Sequence, residues 1–304
     1  MRFVPIFCQW TPGLIKGYKM ENWTLHKGDC IPHMMQDMEE SSVDLSVFSP
    51  PFPSLYAYTS ESCDIGNTNS VGSEAKIHLS YLYRALLRVL KPGRAAIVHV
   101  CQIPRMKRSG GVGLCDFRGI NIKLGERAGL VYEYDWLVRK NPQAQAIRTR
   151  SRELQFAGLE SDRAKQRGSI ADYLIKFRKP GDNDVPVVGH DQVGRNDWIA
   201  WAESAWMDIR ETDTLNVRGT KGEDDTKHIC PLQLEVIRRC IRLYSNPGEL
   251  VFSPFAGIGS EGYVAVSQGR AFHGCEIKPE YIKTAEANIA AASVKSDEQM
   301  ALFN

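Results

Sequence analysis

Val43-Asp44-Leu45-Ser46-Val47-Phe48-Ser49-Pro50-Pro51-Phe52 runs a buried strand into an abrupt stop. Five of the six residues from Val43 to Phe48 are β-branched, apolar or small, which predicts a strand covered on both faces. The two prolines then end it. A corner at the end of such a strand sits where open α/β sheets place their chemistry, at the carboxyl edge. Proline fixes φ and carries no N–H, so the corner presents carbonyl acceptors. The Ser49 hydroxyl and the Pro50 carbonyl could accept both hydrogens of an exocyclic amino group, and Phe52 offers a ring on which a flat base can stack. Pro-Pro after a strand is also common in ordinary turns, so the tetrad acquires meaning from the rest of the chain.

Working outward, residues 1–22 lack a clean period and are expected to form an arm on the main domain. Alternation from Trp23 to Lys27 predicts a strand that delivers Asp29 to a loop. A short helix from about Ile31 to Met38 then leads into the strand at Val43, and a crossover of that length makes the two strands parallel. Beyond Phe52, residues 53–73 are rich in Ser, Thr, Asn and Gly and carry Tyr56 and Tyr58, as a lid beside a strand end would. Helical spacing from Ile77 to Leu90 ends at Lys91-Pro92-Gly93. A strand from Arg94 to Val100, a helix from Gly119 to Gly129, and alternating strands over 131–140 and 171–178 follow, the last two suited to antiparallel pairing.

The final third is the most regular. An amphipathic helix is predicted from Pro231 to Leu243, a strand from Glu249 to Phe252, a helix from Glu261 to Gln268, a strand from Ala271 to Glu276 and a helix from Pro279 to Ala290. Between the first strand and its helix stands Phe255-Ala256-Gly257-Ile258-Gly259-Ser260. Strand, glycine turn, helix and a second strand ending in a carboxylate is the logic of nucleoside-cofactor sites in doubly wound sheets. The glycines admit the ligand, and an acidic residue about 20 positions on takes ribose hydroxyls. Gly257 and Gly259 are the glycines counted, and the third of the dinucleotide fingerprint is taken to be out of register. Gly-x-Gly alone leaves a nicotinamide site open.

At 304 residues the chain accommodates one large α/β domain with inserts. Its eight cysteines form no Cys-x-x-Cys pair, which fits reduced thiols in a cytoplasmic protein and no metal site. No stretch approaches a membrane span or a signal peptide. The net charge of +2 is uninformative, but the local balance over 141–169 is not. Arg148, Arg150, Arg152, Arg163, Lys165 and Arg167 there oppose three acids, Glu153, Glu160 and Asp162. Such an insert suits a nucleic-acid backbone, or else is a solvated helical face. A second insert over 180–227 carries Trp198, Trp201 and Trp206, of which at least one is expected in the core.

Ser49-Pro50-Pro51-Phe52 and Phe255-Ala256-Gly257-Ile258-Gly259, taken together and in this order, resemble the motifs of the amino-DNA methyltransferases. The order, with the tetrad first, resembles the permuted β group. Gly66-Asn67, Asp208-Ile209-Arg210 and the stretch from His228 to Gln233 resemble its phage and prophage members. The resemblance covers Gly28 to Ile289. It implies a Rossmann-like methyltransferase fold, mostly parallel with an antiparallel edge strand and inserted DNA-recognition segments. It divides the chain into a catalytic half (23–140), a basic insert (141–169), a returning strand (170–179), a second insert (180–227) and a cofactor half (228–304).

The cofactor implied is S-adenosylmethionine. By the resemblance, Phe255, Gly257 and Gly259 surround its methionine part, Ser260 also binds the cofactor and Glu276 binds its ribose. Asp29 takes the adenine amino group, and His228 and Pro231 line the methionine pocket. The partner implied is double-stranded DNA, held by the basic insert and Tyr56, with the target base flipped onto Ser49, Pro50, Pro51 and Phe52. Methylation at ring carbon would need a cysteine nucleophile, usually after proline, and the chain has no Pro-Cys pair. Ser at the first tetrad position is associated in the family with N4 of cytosine, while the phage-type resemblance favours N6 of adenine. The small insert suggests low sequence specificity, since phosphate contacts position without specifying. Ser253 departs from the family, which commonly has Asp there, and so keeps open a DNA-binding protein without turnover. A nicotinamide oxidoreductase and an RNA methyltransferase also stay open on the sequence.

Overall fold

The computed structural model describes residues 22–53, 64–67, 71–105, 113–149, 154, 158–189, 192–216 and 231–301. The strands are β1 (Trp23–Lys27), β2 (Val43–Phe48), β3 (Leu90–Cys101), β4 (Ile103–Pro104), β5 (Leu114–Cys115), β6 (Val131–Val138), β7 (Asp172–Arg178), β8 (Ala205–Trp206), β9 (Leu250–Ser253) and β10 (Ala271–Glu276). The helices are α1 (Cys30–Gln36), α2 (Ser73–Val89), α3 (Phe117–Ala128), α4 (Pro142–Thr149), α5 (Arg195–Trp201), α6 (Leu234–Tyr244), α7 (Ser260–Ser267) and α8 (Pro279–Ala301).

Eight strands form one sheet in the order β1-β10-β9-β2-β3-β7-β6-β8, and β4 pairs with β5 apart from it. From β1 to β3 every pairing is parallel. β7 is antiparallel to both β3 and β6, so the expected antiparallel strand is present with β6 and β8 lying outside it. Alternation explains the layers: Leu45, Val47 and Ile97 pack with α6, α7 and α8 on one face, while Phe48, Ala96 and Val98 pack with α1, α2 and α3 on the other.

Several element boundaries differ from those the sequence predicts. α6 begins at Leu234, three residues after Pro231, and the three skipped residues form its approach. α8 runs on to Ala301. The second insert contributes a strand, β8, that has no sequence period because it is only two residues long. Trp201 and Trp206 are buried and both sit over the Arg239 guanidinium, whereas Trp198 is 61% exposed. Among the described residues no helix is long and apolar enough to cross a membrane.

Two polar residues inside β2 join the halves of the sheet. Asp44 Oδ2 accepts the Leu250 N–H at 2.9 Å, and Oδ1 takes the Lys91 ammonium at 2.6 Å and the Arg94 guanidinium at 3.4 Å. Arg94 also pairs with Glu249. Ser46 Oγ donates to the Phe252 carbonyl at 3.0 Å. Buried polar groups need such partners, and here each partner lies on β9, on β3 or at the end that leads into one of them.

Candidate active site between the ends of β2 and β9

β2 and β9 are neighbours, and the chain leaves them in opposite directions, to β3 on one side and to β10 and β1 on the other. A crevice therefore opens beyond their carboxyl ends, at the switch point of the sheet. Ser49, Pro50, Pro51 and Phe52 line it from the end of β2, and Pro254, Phe255, Ala256, Gly257 and Ile258 from the end of β9. Asp29, Ser260, Glu276 and Pro231 line the same cleft. The two sequence motifs thus share one cavity.

Each wall has a local cause. Asp29 caps α1, its Oδ1 accepting the Ile31 N–H at 2.9 Å. Phe255 packs against Phe48 with ring centroids 5.9 Å apart, and Phe52 against Phe117 at 5.6 Å. Gly257 has φ +54°, and a Cβ there would meet nothing within 4 Å, so the turn leaves open space beside the cleft. Glu276 closes the end of β10, with Oε2 accepting the Gly257 N–H at 2.9 Å and Oε1 the Lys278 N–H at 2.8 Å. Burial raises its pKa, against the pull of those backbone N–H groups.

Other sequence expectations land differently. Gly259 is not part of the lining; with φ +86°, a Cβ there would come within 3.0 Å of Ala285, so the residue serves the packing of α8 against the turn. Gly262 completes the spacing Gly-x-Gly-x-x-Gly from Gly257, so the third glycine is in register, contrary to expectation. A Cβ at Gly262 would lie 2.5 Å from Ile289 and 2.7 Å from Phe272, which is the close helix-to-strand approach the third glycine permits. Ser253 is fully buried at the end of β9 and not on the cleft surface. His228, Tyr56, Arg150 and Arg152 lie outside the described residues, as do the side chains of Arg148 and Lys165. Arg163 is exposed and Arg167 half-buried, and neither lines the cleft.

The structure adds residues the sequence did not single out. Ser49 Oγ donates to the His99 carbonyl at 3.2 Å and lies 3.1 Å from His99 Nδ1. His99 Nε2 is 2.8 Å from Asp172 Oδ2, which Lys140 also reaches at 2.6 Å. Burial pulls the Asp172 pKa up, but His99 and Lys140 outweigh it and hold the carboxyl below its ordinary value. Their positions, near the end of β3 and at the start of β7, carry no motif, so only the pairing Cys101↔Asp172 reveals them. Asp64, Ile65 and Tyr281 also line the wall, and Glu261, in the first turn of α7, is buried in it with its pKa pushed up by desolvation to about 8.

The family model described as DNA methylase matches residues 43–287, from the first residue of β2 into α8. The chain belongs to the DNA methylase family. Curated relatives of this methylase include the Type II methyltransferase M.BglI of Bacillus subtilis, 22% identical over 88% of the chain and 85% of the relative. The DNA adenine methyltransferase YhdJ of Escherichia coli (strain K12) is 44% identical over 66 residues, 22% of each protein. Among solved structures, TTHA0409 of Thermus thermophilus in complex with S-adenosyl-L-methionine is 20% identical, covering 88% of this chain and 93% of that one with TM-score 0.66. The cytosine-N4-specific PvuII DNA methyltransferase is 18% identical over 92% and 94%, with TM-score 0.65. At these identities the structural likeness concerns the fold.

Proposed function

We propose that this methylase transfers the methyl group of S-adenosylmethionine to the N6 amino group of an adenine flipped out of duplex DNA. The observation that carries the proposal is the single cleft shared by the Ser49-Pro50-Pro51-Phe52 corner and the Gly257 to Glu276 turn. The residues fit the cofactor on three counts. Glu276 is anchored by the backbone N–H groups of Gly257, Ile277 and Lys278 and keeps a lone pair for ribose hydroxyls. Ser260 Oγ, on the cleft wall, is buried and has no hydrogen-bond partner among the described residues. The Gly257 turn, at φ +54°, leaves open space beside the cleft. When bound, S-adenosylmethionine supplies an electrophilic methyl group on a cationic sulfur.

The chain's own residues prepare the amino group. Its lone pair is delocalised into the ring, so it gains nucleophilicity as the nitrogen pyramidalises. With its proton directed at the His99 carbonyl, Ser49 keeps an oxygen lone pair to accept one amino N–H, and the Pro50 carbonyl is the second acceptor. After transfer the nitrogen carries a surplus proton. Ser49 Oγ accepts that proton as its own hydroxyl proton turns from the His99 carbonyl to His99 Nδ1, and Asp172 compensates the imidazolium that results. Phe52, held by Phe117, supplies stacking that offsets the few kcal/mol lost on extruding the base. Arg163 and Lys165, with the other basic residues of 141–169, hold the phosphate backbone with low sequence preference.

N4 of cytosine is the second target, favoured by Ser49 at the first tetrad position. Mass spectrometry of nucleosides from DNA of cells expressing the chain separates them. N6-methyladenine supports the proposal, N4-methylcytosine replaces it with the second reading, and neither, with purified protein that still binds DNA, leaves a binder without turnover.

A further inference from the structure

A group of nitrogen and sulfur donors lies on the α1 face of the sheet, behind the cleft. The register Thr24↔His273 and His26↔Cys275 puts these four residues of β1 and β10 on one face, because alternate residues of a strand point the same way. α1 lays His33 over them. Nε2 of His33 is 2.8 Å from Nε2 of His273, and one ring nitrogen of each histidine and the Cys275 sulfur lie within 4.8 Å of one another.

The outer partners decide what the nitrogens can do. Asp37 Oδ2, 2.9 Å from His33 Nδ1, can only accept, so that nitrogen carries the proton and Nε2 presents its lone pair inward. Thr24 Oγ1, 2.6 Å from His273 Nδ1, can accept in the same sense and turn the second Nε2 inward as well. With Thr24 accepting, the two facing lone pairs at 2.8 Å need a proton or a metal ion between them; with Thr24 donating, His273 Nε2 carries a proton and gives it to His33 Nε2. An outer oxygen on each ligating imidazole is the usual support of a metal site. The His26 ring stacks on His33 at 3.8 Å and 10°, which fixes the plane of that ligand. The His33 side chain is 12% exposed and Asp37 61%, so an ion has a way in from solvent.

We propose that His33, His273 and Cys275 form a zinc site, with both Nε2 atoms and the thiolate as ligands and water in the fourth position. Mixed imidazole and thiolate donors suit Zn²⁺. Tetrahedral bonds of roughly 2.0–2.1 Å to nitrogen and 2.3 Å to sulfur require the two Nε2 atoms to part to about 3.3 Å. That is a rotation of partly exposed rings. The ion would tie α1 to β10, with β1 joined through Thr24, immediately behind Asp29 and Glu276, so it braces the cofactor wall without touching the reacting atoms. The site is independent of which base is methylated.

The test uses the untagged full chain, stripped with a chelator and then loaded with Zn²⁺ or Co²⁺. Expected are one zinc per chain after gel filtration and, with Co²⁺, a near-ultraviolet thiolate charge-transfer band together with tetrahedral visible bands. Cys275→Ser removes the charge-transfer band. Since Cys275 is buried and its replacement could impair folding, His33→Gln, at a partly exposed position, is the second variant and lowers affinity at least tenfold. Asp37→Asn and Thr24→Val weaken binding by roughly 10–100-fold through the outer partners. Failure to retain zinc, or equal retention by the parent and His33→Gln, overturns the site and assigns the contact to a shared proton.

Discussion

Glu261 makes the buried wall of the cleft sensitive to pH. It stands in the first turn of α7, is 4% exposed, and shares the cleft lining with Pro254, Gly257, Ile258 and Glu276. Desolvation, with a smaller contribution from Glu276, lifts its pKa from 4.5 to about 8. A carboxyl that is harder to ionise in the folded chain than in the unfolded one makes a contribution to stability that is complete below pH 4.5 and lost as pH rises towards 8. At about 1.4 kcal/mol per pH unit, the interval from 4.5 to about 8 corresponds to roughly 5 kcal/mol. Glu261→Gln replaces the ionisable group by a neutral one of nearly the same shape. In urea titrations without cofactor, the variant and the parent should have similar stability at pH 4.5 to 5, and the variant should be the more stable by up to about 5 kcal/mol at pH 8.5. Parallel stability curves from pH 5 to 9 would refute the reasoning, because they would mean that water reaches the carboxyl. If the group faces the cofactor as proposed, a cationic ligand lowers its pKa again. Binding of S-adenosylmethionine then releases protons near pH 7, seen in calorimetry as an enthalpy that depends on the buffer, and Glu261→Gln abolishes that dependence.

Three further outcomes follow from the same contacts. Asp172→Asn leaves His99 without its carboxylate and should lower kcat by roughly 10²-fold while leaving cofactor affinity within twofold; an equal loss in cofactor binding would show that the residue only supports the fold. Glu276→Gln removes charge-assisted bonds to ribose worth about 1.5–3 kcal/mol, so the cofactor dissociation constant should rise by roughly 10–150-fold, as read by calorimetry. Asp44→Ala leaves the Leu250 N–H without its acceptor and Arg94 with Glu249 as its remaining carboxylate, and should cost about 1–3 kcal/mol in denaturant unfolding.

What was legible in the sequence was whatever repeats along the chain or stops it. The strands β2, β3, β9 and β10 are apolar runs bounded by Pro and Gly, and the helices between them keep a 3.6-residue period, so the parallel half of the sheet and both cleft motifs could be read directly. The His99 and Asp172 pair could not. Its members are 73 residues apart and meet only because β7 runs antiparallel beside β3, so that the start of one strand lies at the end of the other. The same holds for His33, His273 and Cys275, which no local spacing links. β8 escaped because two residues have no period, and Gly262 escaped through its count and not its chemistry.

The polar residues within β2 show how the two motifs are kept in one place. An apolar strand covered on both faces has no use for Asp44 and Ser46 as hydrophobic residues, and both are buried. Yet the ladder between β2 and β9 registers only Leu45↔Val251 and Ser46↔Phe252, a short seam on which the whole relation between the amino-group corner and the cofactor wall depends. Ser46 adds a bond across that seam to Phe252, and Asp44 adds one to Leu250 while drawing Arg94, and through it Glu249, to the same end. A slip of one residue between β2 and β9 would break all of these together and flip the side chains of one strand to the wrong layer. The buried charge in β2 therefore acts as a register pin. It fixes the distance between Ser49 and Gly257, residues separated by most of the chain, to what a neighbouring pair of strand ends allows.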